Sequence, residues 1–170
     1  GLGMPDREYY LDTSERMAAY REAYKAYVTK IFELLGDTAA AKSADAVIKF
    51  ETEVAKGHWK QEELRVADKA FKGMDAAAFQ KLVPNIDLAK FAADLGLPPL
   101  TNMVAYGDTS ITAGAKLVDT QPLVAWKKYL AFHIASDNAS YLTKAFDDAR
   151  FDFYNKTLSG VTVKRDRWKR

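Results

Sequence analysis

Two histidines, His58 and His133, are the first residues to weigh for chemistry. They fall in different helical neighbourhoods, neither sits in an H-E-x-x-H pattern, and the chain has no cysteine to join them. A zinc site needs three or four converging ligands, so each histidine reads as structural or surface. The stretch FDDARFDFY sets Asp148 and Asp152 four residues apart on one helix face, with Asp147 beside them. Such a pair could hold a metal or do acid/base work. Lys144 and Arg150, at helical spacing from Asp148 and Asp147, instead make the run an ion-paired, solvated face. NASY and NKT fit the N-glycosylation pattern at Asn138 and Asn155, a weak signal beside predicted helix. The basic ending VKRDRWKR, with a single Trp168, is too little to define a nucleic-acid groove. Nucleophile elbows, phosphate-cradling loops and dinucleotide fingerprints are absent from the sequence. The residue chemistry gives no catalytic residue and no metal ligand set.

Composition agrees with an ordinary globular domain. Of 170 residues, 48% are hydrophobic and 28% charged, enough for one well-covered core. The net charge of +2 does not call for a polyanionic partner. No apolar run approaches the ~20 residues of a membrane span, and no basic-then-apolar leader is present.

The elements that would position any site are helices. Met17, Tyr20, Tyr24, Tyr27, Ile31 and Leu34 form one stripe on a helix stopped by Gly36. Asp12 and Glu15 suggest a capping box at its start. Val47, Phe50 and Val54 predict a second helix ending near Gly57, and QEELRVADKAF a third. Short helices are expected after Asp75 and Asp87, the latter closed by Gly96 and Pro98-Pro99. NMVAY is the only strand-like piece. A helix near 109–118 follows, then one opened by Pro122 with a stripe of Leu123, Trp126, Leu130 and Ile134. A last long helix is expected over 140–158, with ridges Tyr141, Ala145, Ala149, Phe153 and Phe151, Tyr154, Leu158. The fold class is therefore all-α, a single multi-helix domain over 1–170 with at most one short strand. Tyr20, Tyr24, Ile31, Trp126, Leu130, Phe146 and Phe153 are its expected core.

The order of short motifs adds a family resemblance. GLGMPDREYYLD resembles the G-L-x-x-P-x-R-[DE]-Y-Y segment of the neprilysin and endothelin-converting-enzyme family of zinc metallopeptidases. Glu51 to Glu53, then Trp59, Glu63 and Arg65, resemble that family's acidic helix leading into W-x-x-x-E-x-R. LVPNID, the Trp126-Lys127-x-Tyr129-Leu130 helix, YLTKAFDDARFDFY, Gly160 and RWKR follow in the family's order. The missing cysteines look more like its bacterial members than its disulfide-bonded animal ones.

The resemblance implies a helical domain that faces a catalytic domain across an enclosed cavity, limiting which peptides reach the zinc. The family's zinc motif H-E-x-x-H, in which a glutamate serves a zinc-activated water, is not in this sequence. Zinc would therefore belong to the parent's catalytic domain, which together with peptide substrates makes up the implied partners. A periplasmic or extracellular parent, with or without a membrane anchor, is the implied setting. The opening GLGMPDREYY reads as an internal segment. Segments 1–12 and 161–170 are then candidate hinges, with Arg7, Tyr9, Tyr10, Arg167 and Trp168 as interdomain residues and apolar area expected to be exposed around them. The alternative is a free-standing helical interaction module with an apolar groove.

Overall fold

The long tyrosine-striped helix is where the core begins. In the computed structural model, which describes residues 1–166, a short α1 (Glu8–Leu11) leads into α2 (Glu15–Leu34). Met17, Tyr24, Tyr27, Val28, Ile31 and Phe32 are its buried residues, so the predicted stripe is the core face, with Tyr20 half-buried at its edge. The helix starts differently from the expected capping box. Asp12 Oδ1 accepts from the Ser14 backbone N–H at 2.7 Å, a turn that sets up Ser14 as N-cap. It stops where expected, at Gly36 with φ +79°, where Asp37 N–H reaches back to the Phe32 carbonyl.

Helix α3 (Ala40–Gly57) packs along α2 and buries Ala44, Val47, Phe50, Glu51 and Ala55. Its last residue touches α8 (Asp108–Thr120): a Cβ on Gly57 would lie 2.3 Å from the Ala113 Cβ. Propensity alone would favour alanine there by up to ~1 kcal/mol. The steric contact should win, and Gly57→Ala is expected to destabilise the chain by about 1–3 kcal/mol in thermal or urea unfolding.

The region after α3 departs most from the sequence reading. The expected third helix is two single turns, α4 (Gln61–Leu64) and α5 (Ala67–Ala70), separated by an extended Val66. Its end, Phe71, opens a strand instead. β1 (Phe71–Asp75) pairs antiparallel with β2 (Asn102–Tyr106), in the register Phe71↔Tyr106 and Gly73↔Val104. Among the described residues there are thus two strands where at most one was expected, because a lone strand would leave its backbone groups unpaired. Between them, α6 (Ala76–Leu82) and α7 (Leu88–Asp94) begin at the expected aspartates. Asp75 accepts from Ala78 N–H at 2.7 Å and Asp87 from Lys90 N–H at 2.9 Å.

Helix α9 (Leu123–Asp137) forms where predicted but buries a different face. Tyr129, Phe132, Ala135 and Ser136 are buried; Trp126 is half-buried; Leu130 and Ile134 are 49% and 64% exposed. The last long helix is also broken. A 3-10 turn (Ala139–Tyr141) is followed by an extended Leu142, then α10 (Lys144–Arg150) running into a π-helix (Phe151–Thr157). Tyr141 is consequently exposed, while Phe146 and Phe153 are buried as expected. In the π-helix, Phe153 stacks on Tyr27 with planes 7° apart, and adjacent Tyr154 meets the same Tyr27 edge-on.

Candidate functional site

The first eleven residues converge on the centre of this core. Met4 and Tyr10 are buried, and residues 1–4 run as a strap held by tyrosine hydroxyls. The Tyr129 hydroxyl donates to the Gly1 carbonyl at 2.7 Å, and the Tyr154 hydroxyl to the Gly3 carbonyl at 2.8 Å. Met4 N–H donates to the Tyr10 hydroxyl oxygen at 2.9 Å. Gly3 is required by close approach: a Cβ there would fall 1.8 Å from the Tyr24 hydroxyl.

Beneath the strap lies Glu51, fully buried on α3. Its Oε2 accepts from the Tyr10 hydroxyl at 2.7 Å and the Tyr24 hydroxyl at 2.8 Å. Its Oε1 sits 2.7 Å from His133 Nε2 on α9. Burial, and then the nearby Glu51, push the Tyr10 and Tyr24 hydroxyls well above the usual phenol range. Burial likewise pushes Tyr129 up to about 12, with Glu51 the next cause. All three phenols therefore stay protonated at neutral pH and can keep donating. Glu51 acts as the acceptor that ties α1, α2 and α9 to α3.

The sequence-derived interdomain residues separate in this structure. Tyr10 points into the Glu51 cluster. Arg7 donates from Nη1 to the His58 carbonyl at 2.8 Å, tying the strap to the end of α3. Its Nε faces Glu8 Oε1 at 3.6 Å, and neither atom has a hydrogen bond. Tyr9 packs against Tyr20 with ring centroids 5.4 Å apart, and Arg21 holds its carbonyl at 3.1 Å. Arg167 and Trp168 lie outside the described residues. The expectation of exposed apolar area at the chain's start is corrected, since the strap is driven inward by Met4 and Tyr10. Toward the other end, Val161 and Val163 are 43% and 74% exposed.

The remaining chemical candidates resolve into structural contacts. His58 is half-buried, and burial lowers its pKa, with the positive N-terminus and Arg7 as lesser causes. Lys164 bridges Asp147 Oδ2 at 2.8 Å and Asp148 Oδ1 at 2.7 Å, and Lys144 also pairs with Asp148. Among the described residues, no group of three or more His, Asp or Glu is placed to hold a metal ion. No helix among them is long and apolar enough to cross a membrane. A cavity of about 560 Å³ between α6 and α7 is lined by Ala77, Leu88, Ala92, Leu97 and Leu100, with Gln80 as its polar side chain. The Gln80 amide is committed to the carbonyls of Val83 and Ile86 and to Leu88 N–H, which leaves an apolar recess without a reactive group.

Glu51 and His133 as a pair were not read from the sequence. The available signal was Ala44, Val47, Glu51 and Ala55 at 3, 4, 4 spacing, which puts a carboxylate on a buried stripe.

The N-terminal sequence model of Peptidase family M13 matches residues 1–170. Endothelin-converting enzyme 1 of Cavia porcellus is 26% identical over 176 residues, covering 99% of this chain and 23% of that protein. Membrane metallo-endopeptidase-like 1 of Homo sapiens is 26% identical over 184 residues, with 99% and 23% covered. Among solved structures, the zinc metalloprotease Zmp1 of Mycobacterium tuberculosis is similar at 30% identity. Its open state, from cryo-electron microscopy, gives a TM-score of 0.90 over 99% of this chain and 27% of that one. The crystal structure of Zmp1 with an inhibitor gives 0.89, and a partial open state 0.82, each covering 99% of this chain and 26% of that one. The chain spans about a quarter of the length of the relatives it matches.

Proposed function

The chain belongs to Peptidase family M13, and from that premise we propose that it is the substrate-enclosing helical domain of a zinc metalloendopeptidase, controlling by size which peptides reach the metal. The observation that carries this reading is the likeness to Zmp1 in its open, partial open and inhibitor-bound states, with TM-scores of 0.90, 0.82 and 0.89. A unit that keeps its own fold while an enzyme opens and closes can move as one rigid body, which a lid over the substrate has to do. The described residues do not fit a zinc site, so the metal and the chemistry would belong to the catalytic part of the enzyme, with this domain as its partner. The role of this domain is then geometric: it closes over a bound peptide and leaves no room for a folded protein.

Within this proposal, residues 1–12 and 161–170 are the junction to the rest of the enzyme. Arg7, Tyr9 and Tyr10 anchor the first, and Arg167 and Trp168 belong to the second. The Glu51 cluster would make the first junction stiff, because the strap is bonded at Gly1, Gly3 and Met4.

The test is a size series on a full-length M13 peptidase containing this domain. One scissile sequence is offered as a short quenched peptide and then flanked at both ends by folded domains. The flanked substrate should lose about a hundred-fold or more in kcat/KM, since closure over it is blocked. Equal rates for the two forms would overturn the gate. The 170-residue chain alone should cleave neither, and chelator-sensitive turnover by it would overturn the division of labour.

A further inference from the structure

Helix α9 is apolar on two sides, and the chain covers one of them. Tyr129, Phe132 and Ala135 point into the core. On the outer side Leu123, Val124, Leu130 and Ile134 are 68%, 62%, 49% and 64% exposed, and Tyr141, one turn beyond the helix end, is 86% exposed. Leu123, Leu130 and Ile134 fall at i, i+7 and i+11, so they form one ridge along the helix. Lys127, four residues after Leu123, lies on this same face and is its one charge over residues 123–134, because Lys128 is drawn aside to Asp37 at 2.6 Å. A helix at a protein surface normally turns its polar side to water, and a helix that is apolar all round is covered all round. Single exposed apolar residues need no explanation, but a contiguous ridge marks an interface.

The length of the relatives points to what covers it. This chain matches from end to end yet spans 23% of endothelin-converting enzyme 1 and 27% of Zmp1. A full-length member therefore brings roughly three times as much polypeptide again to lay against this ridge. Two kinds of intramolecular contact are open to it. A surface that opens to admit substrate must be wetted in every cycle, and interfaces that part and re-form are correspondingly polar. A ridge of four exposed aliphatic side chains, interrupted over residues 123–134 only by Lys127, would resist each opening, because water returns to all four at once.

We propose that the outer face of α9, from Leu123 to Ile134, is a permanent packing surface against the remainder of a full-length M13 peptidase. It stays shut in the open enzyme as well as in the closed one. The inference rests on the substrate-enclosing reading and assigns this face to the fixed side of the lid, leaving the substrate cavity to other surfaces of the domain.

The absence of native cysteine in the chain makes thiol footprinting direct. Ile134→Cys is placed in the 170-residue chain and in a full-length M13 peptidase containing it, with Leu123→Cys in parallel in case either variant fails to fold. Maleimide labelling of the site is followed by peptide mass spectrometry, normalised to the same protein in denaturant. The full-length protein is read both ligand-free and with a peptide hydroxamate bound at its zinc. Labelling should be fast in the 170-residue chain and about ten-fold or more slower in the full-length protein, equally in both ligand states, since a buried thiol reacts only through local opening. Fast labelling in the full-length protein would overturn the inference. Protection seen only with the hydroxamate would make α9 a closing surface and overturn it too. So would concentration-dependent protection in the 170-residue chain, which would assign the ridge to a second copy. The size series remains a separate readout. A flat series with a protected thiol in the Ile134→Cys protein sinks the gate alone. An unprotected thiol there, with strong size discrimination, sinks this inference alone.

Discussion

Replacing Glu51 by alanine should cost about 3–5 kcal/mol, a large part of the stability of a domain this size. The carboxylate is fully buried and receives three donors: the Tyr10 and Tyr24 hydroxyls on Oε2 and His133 on Oε1. Alanine would leave two buried phenol groups without an acceptor, each at a desolvation cost of roughly 1–3 kcal/mol, with a cavity beneath the strap as well. Glu51→Gln should cost less, about 1–2 kcal/mol, because one oxygen remains to accept and the imidazole can change tautomer to receive the amide. Urea unfolding of both variants gives the ordering. Hydrogen exchange at the Met4 amide supplies a local readout, since that N–H is held by Tyr10, whose own proton rests on Glu51. A Glu51→Ala variant within about 1 kcal/mol of the parent chain would mean that the cluster contributes no more than one ordinary hydrogen bond.

The second large effect separates the two faces of α9. Phe132 is fully buried between Tyr24 and Tyr27, meeting both rings edge-on at 5.9 and 5.8 Å, whereas Leu130 is 49% exposed. Phe132→Ala should destabilise the 170-residue chain by about 3–5 kcal/mol. Leu130→Ala should change its stability by no more than about 0.5 kcal/mol. Chemical denaturation of the two variants side by side decides it. A Leu130→Ala cost comparable to that of Phe132→Ala would restore Leu123, Trp126, Leu130 and Ile134 as the core stripe.

The spacing of that stripe is genuinely helical, and its failure as a core face has a physical cause. Helical periodicity identifies a buried face only when the opposite face is polar, as in α2, where Glu15, Glu22 and Glu33 lie exposed opposite the tyrosines. In α9 both faces are apolar, so period and spacing fit either choice. Which side turns inward is set by α2 and α3, through Tyr24, Tyr27 and Phe50 meeting Phe132 and Tyr129.

By itself the sequence determined what depends on a few neighbouring residues. The stop at Gly36, the caps at Asp75 and Asp87, the stop at Gly96 and the one-sided stripe of α2 are local choices of backbone angle and side-chain polarity. The ordered motifs from GLGMPDREYY to RWKR likewise carried the family, because residue identities hold it without reference to contacts. Only the tertiary structure decided what requires distant partners. β1 is a strand because β2, some thirty residues on, accepts its backbone bonds. The helix after Tyr141 breaks and widens into a π-helix where Phe153 and Tyr154 both pack on Tyr27. The cluster around Glu51 needs donors from positions 10, 24 and 133, brought together by four helices. A buried carboxylate is costly anywhere in the chain until those donors arrive, and no property of α3 alone reveals that they will.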